Sequence, residues 1–273
     1  MYLRICSFVV FVVLIVCATL TLSSCGGAPA ANKANPGTSS SPAAPAPSPT
    51  PTPEGTTVLD NVQNTRTWLT CGNCGNDHAT GPAAKGTFSP GLASPSEDGA
   101  STEFSITATT PYTNVYFYQE HTPVTTQINA LTYEFDLYIP QGMENASQGI
   151  EFEVQQIVGG WVYNFGWQAN YQQNIWRIFD YGAKQWNPTP VAFNGFTPGT
   201  WHHIVAEYHN DLATHMVYHD ALTVDGVRTA VNITHHAFNA GGRDQFTNAI
   251  QLDSNSTATP YSVYVDKMTI AYK

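Results

Sequence analysis

Ten stretches of this chain alternate apolar and polar residues, and no stretch carries the 3.6-residue stripe of a helix of useful length. Successive side chains of a strand point to opposite sides, so a period of two buries one face and wets the other. The stretches run Thr102 to Thr107, Asn114 to Gln119, Ala130 to Ile139, Gly149 to Ile157, Trp161 to Gln168, Ile175 to Tyr181, Trp201 to His209, Thr214 to Val224, Ala249 to Leu252 and Ser262 to Ala271. Turn signals separate them. Many strands and no helix predict an all-β fold, a jelly-roll β-sandwich of two antiparallel sheets.

The alternation does not begin at the N-terminus. Arg4 precedes an apolar run from Ile5 to Leu22, long enough for a membrane helix, which Leu22-Ser-Ser-Cys25-Gly follows directly. Those residues match the lipobox of bacterial lipoprotein signal peptides, which implies cleavage after residue 24 and lipidation of Cys25. Residues 25–54 then hold the lipidated cysteine and a tract rich in Ala, Pro, Ser and Thr, "SPAAPAPSPTPTP", which cannot bury a core and reads as an extended tether. Residues 55–273 are left as one domain of ordinary size. The implied location is the bacterial cell envelope, with the domain held to a membrane through the lipid.

Only 11% of the residues are charged, 12% are aromatic, and the formal net charge is −10, which argues against nucleic acid as a partner. Of five cysteines, Cys6 and Cys17 leave with the leader and Cys25 is taken by lipid. Cys71 and Cys74 remain, in "CGNCGNDH", and a disulfide suits an exported domain. A redox CxxC would open a helix, and none is expected there. Zinc would need two more ligands, with only His78 near.

Two stretches carry a resemblance. "FTPGTWHHIVAEYHNDLATHMVYHDALTVDGV" (Phe196 to Val227) and "YSVYVDKMTI" (Tyr261 to Ile270) resemble a strand pair and the closing strand of the concanavalin A-like lectin and glucanase superfamily, in its laminin-G-like form. They cover about a quarter of the domain. The resemblance implies the jelly roll and leaves the ligand open. In the same superfamily, family 16 glycoside hydrolases carry Glu-x-Asp-x-Glu, with or without one inserted residue, as nucleophile, helper and acid/base. Laid over "GIEFEVQQ", Glu151 takes the nucleophile position and Glu153 the helper, while both acid/base positions, Gln155 and Gln156, are amides. An amide keeps the shape of a carboxyl but cannot hand a proton to a departing sugar oxygen. The match therefore implies a hydrolase that has lost its acid; the alternative is a half-buried strand with a wet face.

Glu134 and Asp136 share one face of "LTYEFDLYIP". A hairpin with 149–157 would set Asp136 opposite Glu153 and Glu134 opposite Gln155, with Arg177 as one source of relief for the opposed charges. Trp161, Tyr163, Phe165 and Trp167 alternate in "GWVYNFGWQ". They are either core packing or, with Trp176, Trp186, Tyr171 and Tyr181, a platform for the apolar faces of sugar rings.

The family resemblance also implies a structural calcium ion, with Asp266 from the last strand and Glu97 or Asp98 from "PSEDGAS" as oxygen ligands. His203, Glu207 and His209 share a strand face, with His215 and His219 on the next strand, which raises zinc as an alternative. Polysaccharide lyases use this fold too, and Arg177, His203 and Tyr208 could serve one if the fold brought them together. The reading as a whole is a monomeric, lipid-anchored, non-catalytic carbohydrate-binding protein, lectin-like, with a polysaccharide or other glycan as partner. A lyase, a family-16-like hydrolase and a structural envelope protein are the alternatives.

Overall fold

The computed structural model describes residues 56–74, 81–122 and 128–273. The leader, Cys25, the tether and His78 lie outside the described residues. The strands are β1 (Thr57–Leu59), β2 (Leu69–Gly72), β3 (Lys85–Leu92), β4 (Ser101–Thr107), β5 (Asn114–Glu120), β6 (Ala130–Tyr138), β7 (Ser147–Val158) and β8 (Trp161–Asn170). They continue with β9 (Ile175–Asp180), β10 (Gln185–Ala192), β11 (Trp201–Asp211), β12 (Met216–Val224), β13 (Val227–His236), β14 (Phe238–Asn239), β15 (Gln245–Ser254) and β16 (Tyr261–Tyr272). Sheet A has the order β13-β12-β11-β6-β16-β4-β3, with β1 also on β16. Sheet B has the order β10-β9-β8-β7-β15-β5-β2, with β14 also on β8. Every pairing is antiparallel, and the chain crosses repeatedly between sheets, so the expected jelly-roll sandwich is the fold.

Each of the ten alternating stretches coincides with a strand, with Ile139, Tyr181 and the pair Thr214 and His215 just beyond the strand ends. The strands that alternation does not disclose lie mostly at the sheet edges: β2, β3, β10 and β13 each end a sheet. β3 contains Pro90, and β10 contains Pro188 and Pro190, residues that interior strands exclude because they cannot donate to the ladder. The register of each shifts just beyond a proline.

The core lies between the sheets. Phe135 of β6 meets Phe152 of β7 at a ring-centroid distance of 4.5 Å, and Tyr208 of β11 meets Phe165 of β8 at 4.9 Å. Burial of each such side chain contributes roughly 1.5–3 kcal/mol. This face assignment decides what remains outside: with Phe152 and Val154 of β7 turned inward, Glu151 and Glu153 must turn outward.

The expected hairpin between 130–139 and 149–157 does not form. β6 pairs with β11 and β16 in sheet A, whereas β7 pairs with β8 and β15 in sheet B. The eight residues between β6 and β7 carry the chain from one sheet to the other. Glu134 and Asp136 therefore face away from the Glu151 side of the sandwich.

Candidate functional site

The outer face of sheet B collects most of the uncommitted chemistry of the chain. Along β7 it presents Glu151, Glu153 and Gln155. Antiparallel register then sets Gln168 of β8 beside Glu151, Arg177 of β9 beside Gln168, and Gln251 of β15 on the other side of Glu151. Tyr116 of β5 lies beside Gln251, and Asp253 beside Gly149.

Gln168 ties these groups together. Its Nε2 donates to Glu151 Oε1 at 2.6 Å and to Asp253 Oδ2 at 2.9 Å. Its Oε1 accepts from Arg177 Nε at 2.6 Å and from Asn170 Nδ2 at 2.8 Å. A primary amide has two donors and one acceptor oxygen, so it can bridge two carboxylates on one end and a guanidinium on the other. Gln251 Nε2 adds a bond to Asp253 Oδ1 at 2.9 Å, and the Tyr116 hydroxyl donates to Glu153 Oε1 at 2.8 Å. Gly149 makes room for the bridge: a Cβ there would lie 2.8 Å from the Gln168 amide and 3.1 Å from Asp253 Oδ2.

Two carboxyls, Glu151 and Asp253, share one guanidinium here, with Glu153 beside them on β7, and their proton affinities reflect the setting. Burial pushes Glu151 well above the usual carboxylate range, and the neighbouring charge of Asp253 pushes it further. Burial also raises Asp253, although Gln251, Glu151, Arg177 and Gln168 pull it part of the way back. Glu151 and Asp253 share the Gln168 Nε2 donor and act on each other's titration, so the two behave as a pair. Glu153 is raised by burial against the opposing pull of Asn164 and Tyr116. Asn164 is fully buried beside it, yet neither end of its amide makes a well-formed hydrogen bond.

Aromatic rings flank this polar floor. Tyr116 and Tyr118 stack at 5.5 Å on one side. On the other, Phe179 packs against Trp186 at 5.0 Å and Tyr181 at 5.6 Å, and the Arg177 guanidinium sits 4.6 Å over the Trp186 ring. The arrangement offers carboxylates, amides and a guanidinium between ring faces.

The fold thus brings together Glu151, Glu153, Gln155, Arg177 and Trp186 of the residues expected from sequence. It removes the other tryptophans. Trp167 and Trp176 are 1% and 0% exposed in the core, and Trp161 lies on the same inward side of β8, stacked on His215 at 3.8 Å. The alternation that suggested a platform is the core face of β8. The inserted-residue form of the hydrolase motif is also excluded: β7 runs without a bulge against β8, and Gln156 turns inward to accept from Asn210 at 3.0 Å. Sequence reasoning missed Asp253, Gln168, Gln251 and Tyr116. The signal for the first was available, because extending the Ala249 to Leu252 strand by one residue puts Gln251 and Asp253 on one face.

On the outer face of sheet A, Glu134 and Asp136 are occupied otherwise. His203 contacts both, with Nδ1 2.8 Å from Asp136 Oδ1 and Nε2 3.3 Å from Glu134 Oε1. The hydrogen bond with Asp136 raises the His203 pKa despite partial burial. Asp266 does meet the 95–101 loop, but through hydrogen-bond donors. Ser96 Oγ donates at 2.7 Å, the Glu97 amide at 2.7 Å and the Lys267 amide at 3.0 Å. Burial raises the Asp266 carboxyl, and these donors outweigh it and hold the pKa low. Asp98 turns instead to the Ala100 amide at 2.9 Å. The carboxylates expected to hold calcium thus accept from N–H and O–H donors in this structure, Glu97 from Lys267 Nζ at 2.7 Å. No cluster of three or more His, Cys, Asp or Glu side chains suited to a metal occurs among the described residues. The lyase trio is dispersed as well: Arg177 is on sheet B, His203 on the outside of sheet A and Tyr208 in the core. Cys71 and Cys74 form the expected disulfide.

No family model matches the sequence, and no curated protein matches it. Among solved structures, a carbohydrate esterase from the Shiga toxin-encoding bacteriophage phi24B is 14% identical, with a TM-score of 0.48 over 80% of this chain and 100% of that one. Arcelin-5, a lectin-like defence protein from Phaseolus vulgaris, is 9% identical, with a TM-score of 0.43 over 80% and 98%. A carbohydrate-binding module of the β-sandwich superfamily is 13% identical, with a TM-score of 0.40; 75% of this chain spans 57% of that one. The likeness is one of strand architecture, and no site residue is carried across.

Proposed function

We propose that the outer face of sheet B binds a glycan without turning it over, on a domain tethered to the bacterial envelope through Cys25. The observation that supports this most is the Gln168 bridge between Glu151 and Asp253, set between two aromatic walls. Sugar recognition needs fixed donors and acceptors for hydroxyls together with ring faces for C–H surfaces. Retaining hydrolysis instead needs two carboxyls held roughly 5 Å apart across the scissile bond. Here Gln168 Nε2 occupies the space between Glu151 and Asp253, at 2.6 and 2.9 Å from their oxygens.

A second reading has its own support. A carboxyl whose pKa burial raises, as it raises that of Glu151, is also how an enzyme prepares a general acid. The test is a glycan array run with the full chain beside assays for reducing ends and for unsaturated products. Saturable binding that falls in Trp186→Ala and Arg177→Ala, without products, supports the binding function. Products that disappear in Glu151→Gln support the hydrolase. Replacement of Cys25 by Ser is expected to abolish lipid attachment, and unchanged lipid labelling would refute the anchor.

A further inference from the structure

A polar cavity lies at one end of the sandwich, lined mostly by five connections, with Ser147 and Gln148 at the start of β7. Its volume is about 470 Å3, and its lining comes from the β4–β5, β6–β7, β8–β9, β10–β11 and β15–β16 connections. That is within the usual range for a small-molecule site.

The lining has three properties that together select a ligand class. One wall is apolar: Phe196 is buried and packs at 6.4 Å on Tyr171 and 5.3 Å on Phe193. The rim carries Tyr112, 48% exposed, whose backbone is left-handed at φ 59°. A bulky aromatic seldom adopts that conformation, and such residues gather at ligand sites. Between wall and rim, the amides of Asn174 and Asn194 supply donors and acceptors at exposed positions.

Glu144 sharpens the assignment. Its carboxylate is part of the lining, and its Oε2 is buried with no hydrogen-bond partner among the described residues. No Lys or Arg lines the cavity, so an anionic ligand would meet a carboxylate with nothing to balance its charge.

We infer that this cavity is a second binding site and takes the neutral, hydroxyl-rich end of a glycan. The asparagine amides take the hydroxyls, the Glu144 carboxylate in the lining disfavours an anion, and Tyr112 covers a ring face. The site is separate from the outer face of sheet B, whose carboxyls and Arg177 suit a different part of a glycan or a different one.

The test uses the full chain in detergent micelles and ligand-observed saturation-transfer NMR. The probes are the methyl glycosides of glucose, galactose and mannose, with glucuronate and ethanolamine as charged comparisons. At least one neutral glycoside is expected to bind, about tenfold more weakly in Tyr112→Gly and in Asn194→Asp, and equally well in Arg177→Ala. Both cavity substitutions fall at exposed positions, and the glycine suits the left-handed backbone, so folding is preserved. No transfer to any neutral glycoside would overturn the inference, as would preferential binding of glucuronate or of ethanolamine that weakens in Tyr112→Gly. Binding lost in Arg177→Ala but kept in Tyr112→Gly would place the sugar on the outer face of sheet B, which overturns this inference while supporting the proposed function.

Discussion

Replacing His219 by Leu is expected to stabilise the protein, and to do so more strongly in acid. His219 on β12 is fully buried, and neither ring nitrogen has a hydrogen-bond partner among the described residues. Its surroundings are rings: Trp167 at 5.6 Å, Tyr208 at 5.4 Å, Phe165 at 6.3 Å and His235 at 5.4 Å. An unpaired buried polar atom costs about 1–3 kcal/mol, and Leu is close to His in volume, so the cavity and overpacking penalties stay small. The gain at pH 7.5 is thus about 1–3 kcal/mol, or roughly 2–4 °C in midpoint for each kcal/mol in a domain of this size. The pH dependence follows from linkage. Burial, with the nearby His235, lowers the His219 pKa well below its ordinary 6.5. Above 6.5 the ring is neutral in both folded and unfolded chains and contributes no slope. Below 6.5 the unfolded chain takes up a proton that the folded one refuses, and stability falls by about 1.4 kcal/mol per pH unit. The advantage of the variant should therefore widen by about 1.4 kcal/mol between pH 7.5 and 5.5. Urea unfolding of wild type and variant at the two pH values measures this directly, and His235, present in both, largely cancels. A variant that is less stable at both values, with an unchanged gap, would refute the reasoning.

The carboxyls on the outer face of sheet B should show the opposite sign. Glu151 has a raised folded pKa, so its charge destabilises the fold above that pKa, and the penalty disappears as pH falls through it. Glu151→Gln is expected to unfold at higher urea than wild type at pH 7.5 and to lose that advantage near pH 4; a constant difference would contradict it. Gly149→Ala puts a methyl against the Gln168 amide, with an expected cost of about 1–3 kcal/mol and loss of binding at that face on a glycan array. Asp266 has a lowered folded pKa, so its contribution is present above pH 3.8 and lost as pH falls through the folded value. Asp266→Asn should lower the thermal midpoint at pH 7, and millimolar calcium should leave the wild-type midpoint where chelator does; a rise of several degrees with calcium would show that the ion displaces the donors.

The strands were legible from the sequence because a period of two is local: each stretch reports its own alternation without reference to any partner. Strands β3, β10 and β13 were not, since an edge tolerates prolines and a wet surface that interior strands refuse. Alternation also cannot say which of two faces is buried. Glu151 and Trp167 both sit in alternating strands, and the opposing sheet decided that Phe152 and Trp167 go inward while Glu151 and Gln168 stay out. Pairing was decided the same way. Glu134 and Asp136 are close in sequence to β7 but lie in the other sheet, whereas Asp253, about a hundred residues beyond Glu151, is brought against it by the register of β15 on β7. Local chemistry therefore determined which segments extend and which residues could act. Only tertiary packing decided which of them meet, because burying two sheets against each other assigns every strand its partner and its inward face together.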